Sequence, residues 1–158
     1  MKLHFVRHAR AAKRAQWAGP PWLRPLCPAG REQARALAAS LASSGVERIL
    51  SSPALRCRQT LAPLAHATGI PIEIDERLAE GGDEAKLFEA IASFRDRATA
   101  LCTHGDAIGA VLERFRAEGL VIEDEPRCER GSCWTLEGRG ARPSTIRYAP
   151  PDPAAASN

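Results

Sequence analysis

Aromatic side chains are scarce in this chain of 158 residues: three Trp, one Tyr and four Phe make up 5% of it. A core that cannot lean on large rings has to be filled by Leu, Ile, Val and Ala. No apolar run approaches the roughly 18–20 residues a membrane helix needs, so no bilayer-spanning helix and no membrane partner are expected. Blocks of Lys and Arg are missing as well. The net charge is only +3, from 22 basic and 19 acidic residues, which argues against a nucleic-acid-binding arm. Cys27, Cys57, Cys102, Cys128 and Cys133 form an odd set without the spacing of a disulfide framework. With no leader-like segment ahead of the first strand, they read as reduced thiols of a cytoplasmic protein. Only Cys128 and Cys133 lie close in sequence, with no His beside them, so no metal and no cofactor are expected.

What is present is ordinary in amount and regular in order. The hydrophobic fraction is 44% and the charged fraction 26%, as in a globular domain. Apolar runs fall at Leu3–Val6, Ile49–Leu50, Ile70–Ile74 and Ala100–Thr103, followed by β-rich stretches at Ser132–Leu136 and Thr145–Tyr148. Helical spacing fills the gaps at Gly30–Ser43, Pro53–Ala67, Ala85–Arg97 and Asp106–Glu118, with Ser52 as N-cap and Pro53 at the first position of the second helix. This alternation predicts an α/β fold, a single three-layer α/β/α domain with a mostly parallel central sheet flanked by helices. The domain should cover residues 1–148, and the Pro/Ala-rich residues 149–158 should form a disordered tail. Residues 11–27 have no clean period and read as a long, functional loop. The basic stretch "ARAAKRAQW" (residues 9–17), which runs into it, is suited to attracting an anion.

Strand ends carry the polar residues. "LHFVRHARA" stops at Arg7–His8, and "SSPALRCRQT" puts Arg56 in the first turn of a helix. "DERLAEGGD" holds Glu80 in a loop, and "CTHGDAIG" sets His104 before a helix, with Gly105 as a flexible turn. In an open parallel sheet, ligands bind beyond the carboxyl ends of the strands, where helix N-termini also favour anions. A phosphate fits this set. Two guanidiniums grip its oxygens as planar forks, and a neutral imidazole attacks phosphorus. A second, protonated His steadies the equatorial oxygens, and a carboxylic acid donates a proton to the leaving oxygen.

"VRHA", "SSPALRCRQT", "RLAEGG" and "CTHGD" together resemble the blocks of the histidine phosphatase superfamily, also called phosphoglycerate mutase-like. "PLCPAGREQA" is similar to that family's Pro-Leu-Thr-x-x-Gly-x-x-Gln-Ala block, and the similarity runs from Leu3 to Gly109. The resemblance implies that His8 is the nucleophile that becomes phosphohistidine. Arg7, Arg56 and His104 would bind phosphate beside it, and Glu80 would be the proton donor. Arg58 is the rival for Arg56, and Asp83 and Asp106 are the rivals for Glu80, while His4 and His66 are assigned to structure. Two positions depart from the pattern: Ala9 replaces the usual Gly, and Cys27 replaces the Thr of the Pro-Leu-Thr block. The function implied is a metal-independent phosphatase of the SixA type, acting on phosphohistidine. The alternatives are a phosphatase of small metabolites or nucleotides, like the domains that accompany some Nudix hydrolases, or a non-catalytic phospho-ligand-binding module. Its partner would be a phosphorylated small molecule or a phosphohistidine protein. The sequence does not fix the oligomeric state.

Overall fold

A computed structural model describes residues 1–122, 127–139 and 143–153. Six strands and four α-helices follow in order: β1 (Lys2–Arg7), α1 (Pro28–Leu41), β2 (Arg48–Ser51), α2 (Leu55–Thr68), β3 (Ile72–Ile74), α3 (Glu84–Ser93), β4 (Thr99–Thr103), α4 (Gly105–Ala117), β5 (Cys133–Glu137) and β6 (Thr145–Ala149). They build one sheet in the order β3-β2-β4-β1-β5-β6. The first four strands in that order run parallel, and β5 and β6 add antiparallel pairs at one edge. The expected mostly parallel α/β sheet is therefore the one observed.

Side-chain alternation along β1 sorts the core into two layers. Leu3 and Phe5 face α3 and α4, packing with Ile91, Ile108, Val111 and Phe115. Val6 faces α1 and α2 with Ala38, Leu41, Leu61 and Leu64. The scarce aromatics are concentrated in the first layer, where Trp134 is fully buried and its indole N–H donates to the Arg127 carbonyl at 2.7 Å.

Pairing register is what positions the site. Arg7 pairs with Thr103 across β1 and β4, and Ser51 with Cys102 across β2 and β4, so three strand ends stop level. The ladder continues one residue further, with His8 N–H donating to the Thr103 carbonyl and Ser52 N–H to the Cys102 carbonyl.

Several local expectations need correction. Ser52 does not cap α2, which begins at Leu55 behind Ala54; Pro53 and Ala54 form a bend before it, and the Ser52 hydroxyl goes to His104 instead. Arg56 still falls in the first turn. Gly105 is not a flexible turn but the first residue of α4, and its φ is not positive. A Cβ there would lie 3.1 Å from the Arg7 guanidinium carbon, so a larger residue would press on that side chain. The third helix stops at Ser93 rather than Arg97, and the third strand starts at Ile72. β6 runs one residue past the boundary at 148, and residues 154–158 of the expected tail lie outside the described residues. The long loop 11–27 is closed by an Ala11–Leu26 bridge and contains two 3₁₀ turns, Arg14–Gln16 and Pro21–Leu23.

Candidate active site

Arg56 connects the site. Although 2% exposed, its guanidinium meets four partners: Nε donates to His8 Nε2 at 3.3 Å and Nη1 to the Pro21 carbonyl at 3.0 Å, while Nη2 donates to Glu80 Oε2 at 2.9 Å and His104 Nδ1 at 3.3 Å. Arg7, His8, Arg56, Glu80 and His104 therefore converge at the carboxyl rim of the sheet. Arg58 makes none of these contacts.

The hydrogen bonds assign the His8 tautomer. Nδ1 lies 2.8 Å from the Ala9 carbonyl, which can only accept, so Nδ1 carries the proton and Nε2 keeps its lone pair. Burial pushes the His8 pKa down to about 3; the Ala9 hydrogen bond opposes this, while Arg56, His104 and Arg7 add to it. At neutral pH the ring is uncharged, with a free lone pair on the atom facing Arg56. On His104, Nδ1 accepts from Arg56 and Nε2 lies 2.9 Å from Ser52 Oγ. The two imidazoles stand edge to face, their centroids 5.4 Å apart.

Arg7 takes a different path. Its Nη1 donates to the Cys128 carbonyl and its Nε is buried without a partner among the described residues. Cys57, under His104, has Sγ 3.6 Å from Nε2. Burial alone would push this thiol up, but contacts to Cys102, His104 and Arg56 outweigh it and bring it to about 6.

Glu80 differs from the rest because its side chain is 47% exposed. Its backbone is nonetheless fixed: Thr103 Oγ1 donates to the Leu78 carbonyl, and Gly81 N–H donates to Asp106 at 2.7 Å. Of its rivals, Asp106 is thus engaged in holding the loop, and Asp83 caps α3 by accepting from Ala85 and Lys86 N–H. Pro21, Trp22, Ser52, Arg56, Glu80 and His104 line a cavity of about 210 Å³, with Trp22 61% exposed at its mouth. No lid covers it among the described residues.

Four residues that hold this geometry escaped the sequence reading as functional. Thr60 Oγ1 accepts from Ala9 N–H and donates to the Arg56 carbonyl, tying the backbone beyond His8 to that of Arg56. Gln59 accepts from Leu26 N–H. Gln33 Oε1 accepts from Arg10 N–H. At Gly30 a Cβ would fall 1.9 Å from the Arg10 carbonyl oxygen, so only glycine lets α1 approach the loop after His8. Their signal was positional: each lies inside a block quoted for its neighbours. His4, as expected, is structural, bonded to Thr135 and Ser44. All five cysteines are free thiols, and no group of three His, Cys, Asp or Glu among the described residues could hold a metal ion.

A buried arginine bridging two imidazoles at level strand ends has the charge and planar fork that suit a phosphate. The chain belongs to the histidine phosphatase superfamily (branch 1), whose family model matches residues 3–98. It is similar to a protein of Agrobacterium tumefaciens described as phosphohistidine phosphatase SixA, with a TM-score of 0.75 and 26% identity over 94% of this chain and 97% of that one. The protein histidine phosphatase SixA complexed with tungstate shares the fold, with a TM-score of 0.74 and 23% identity over 94% of each chain. The 8-oxo-(d)GTP phosphatase of Mycolicibacterium smegmatis is 29% identical over 153 residues, 93% of this chain and 48% of the relative. The chain thus spans about half the length of that curated relative.

Proposed function

We propose that the protein hydrolyses phosphate esters or phosphoramidates without a metal, through a phosphoryl group carried transiently on His8. The observation that carries this reading is the His8 ring: neutral, its Nδ1 proton tied to the Ala9 carbonyl, its Nε2 lone pair aimed at the arginine that would hold the phosphate. A phosphate at Arg56 takes over the donors now given to His8, His104 and Glu80. Nε2 attacks phosphorus, the bond to the leaving group breaks, and Glu80 supplies the leaving group's proton. Water then cleaves the phosphorus–nitrogen bond, returning His8 and releasing inorganic phosphate. Arg7 and Arg56 neutralise the oxygens in both steps, with His104 beside them.

For the substrate, a phosphohistidine protein is the reading supported by likeness to SixA along nearly the whole of both chains. An uncapped cavity suits a target presented on a protein surface. Phosphorylated small molecules are a second reading, favoured by the relative that is named for a nucleotide substrate. The test is hydrolysis of p-nitrophenyl phosphate in EDTA. Wild type should turn over and, when quenched, show an acid-labile phosphoryl group on His8. His8→Ala should lose ~10⁴-fold or more in kcat, the scale of losing a covalent nucleophile. Substantial activity in that variant rules out the covalent route.

A further inference from the structure

A second cleft is lined by Arg7, the last residue of β1 and the neighbour of His8. It encloses about 630 Å³ and is walled by Arg7, Arg10, Gln33 and Arg130, with Pro150 and Pro151 across from them. Neither Arg10 nor Arg130 makes an ion pair among the described residues. The one carboxylate on the wall, Glu129, is engaged by Arg127 at 2.6 Å.

The convergence is built. Gln33 is 3% exposed and uses both ends of its amide on main chain, accepting from Arg10 N–H at 2.9 Å and donating to the Arg130 carbonyl at 3.1 Å. One buried side chain thereby clamps together the two segments that bear the guanidiniums. Gly131 completes the clamp: its φ is +84°, and its N–H lies within hydrogen-bond reach of the Arg7 and His8 carbonyls. Arg7, the chain neighbour of His8, lines this cleft, and its buried Nε has no acceptor among the described residues. Three guanidiniums facing one space, against one carboxylate already engaged by Arg127, favour entry of an anion.

We propose that this cleft is an anion subsite for a second phosphate of a small polyphosphorylated molecule, whose first phosphate sits at His8. Guanidinium forks match phosphate oxygens. The volume lies within the range of roughly 300–1,000 Å³ usual for small-ligand pockets, and a concave cleft suits a compact ligand better than the flat flank of a protein. The proposal rests on the reading of His8 as the phosphoryl site, and it moves the substrate choice toward small molecules.

The test uses inorganic tripolyphosphate and orthophosphate as competitors of p-nitrophenyl phosphate hydrolysis. In wild type, tripolyphosphate should inhibit at least about tenfold more tightly than orthophosphate, which reaches only the first site. In the Arg10→Ala/Arg130→Ala double variant, tripolyphosphate inhibition should weaken about 10- to 100-fold, the loss expected for charge-assisted bonds. Orthophosphate inhibition and p-nitrophenyl phosphate turnover should stay within about twofold. Arg116→Ala, which removes an exposed charge from α4, should change neither inhibitor. Equal weakening of both inhibitors, or of neither, overturns the subsite. If instead only the KM for a phosphohistidine protein rises in the double variant, the cleft reads an acidic protein surface and the small-molecule assignment is wrong. Should wild type not hydrolyse the aryl phosphate at all, the His8 reading fails. Calorimetric binding of tripolyphosphate to wild type and the double variant then still decides the cleft.

Discussion

His8, Arg56 and His104 are 4%, 2% and 1% exposed, whereas the Glu80 side chain, in contact with Arg56, is 47% exposed. The buried trio is over-determined. Strand register, Thr60, the Ala9 carbonyl and Ser52 each fix one ring or backbone segment, so few alternative positions remain. Glu80 is fixed in backbone only, through Leu78 and Gly81, and its carboxylate is held by ion pairs that an arriving phosphate would compete for. A phosphoryl group must be met in one geometry whatever carries it, while leaving groups vary and need a proton donor that can follow them. Under the proposed mechanism, rigidity would lie where phosphorus sits and freedom where the leaving group departs.

The largest effect that would break this comparison is at the mobile carboxylate. Glu80→Gln should slow alkyl phosphate hydrolysis by ~10²–10⁴-fold, the usual range for positioned acid catalysis, while sparing activated aryl phosphates. A phosphohistidine substrate should be less affected, since a protonated imidazole leaves readily. A uniform small loss across the three substrate classes removes Glu80 from the mechanism.

Within the rigid half, Arg56→Lys keeps the charge but not the planar fork that spans His8, His104 and Glu80. Turnover should fall ~10²–10³-fold on every substrate class, as when one preorganised donor is lost. Arg58→Lys should leave turnover unchanged. Equal losses at the two positions, at equal thermal stability, would mean that the bridging geometry of Arg56 is not what matters.

Rigidity of the buried half also has a pH signature. Burial is the chief cause that lowers His8 to about 3 and His4 to about 4, from an ordinary 6.5. The unfolded chain takes up protons below pH 6.5 that the folded chain refuses, so stability falls as pH drops through that window. At ~1.4 kcal/mol per pH unit for each group, both together should cost on the order of 4 kcal/mol between pH 6.5 and 5. Urea unfolding at pH 7, 6 and 5 measures this, and His4→Gln should remove about half of the slope. An unchanged slope in that variant would mean His4 protonates freely in the folded state.

The same contrast governs what could be read in the sequence. Strand ends and helix spacing are local patterns, and they are what placed Arg7, His8, Arg56, Glu80 and His104 at strand ends and loops along one rim. Ser52 was misread as a helix cap because its hydroxyl prefers a partner 52 residues away, a contact that only the β2–β4 register creates. Gly105 read as a flexible turn and Gly30 only as the start of a helix, since the close approach of each to Arg7 or Arg10 exists only after folding. The second cleft was visible only as a basic stretch: Arg10 and Arg130 are 120 positions apart and meet through Gln33.

The smallest effect sharpens the comparison most. Arg14 reaches the second oxygen of Glu80 at 3.7 Å, and the two side chains are 77% and 47% exposed. Exposed pairs of this kind are worth ~0–1 kcal/mol and are screened by salt. Arg14→Ala should therefore change kcat on alkyl phosphates by no more than about fivefold, with the difference fading as ionic strength rises. KM should move little, because Arg56 and not Arg14 would hold the phosphate. If Arg14→Ala matched Glu80→Gln on alkyl phosphates, the carboxylate would be as tightly positioned as the imidazoles. The division between a fixed phosphate centre and a mobile proton donor would then be wrong.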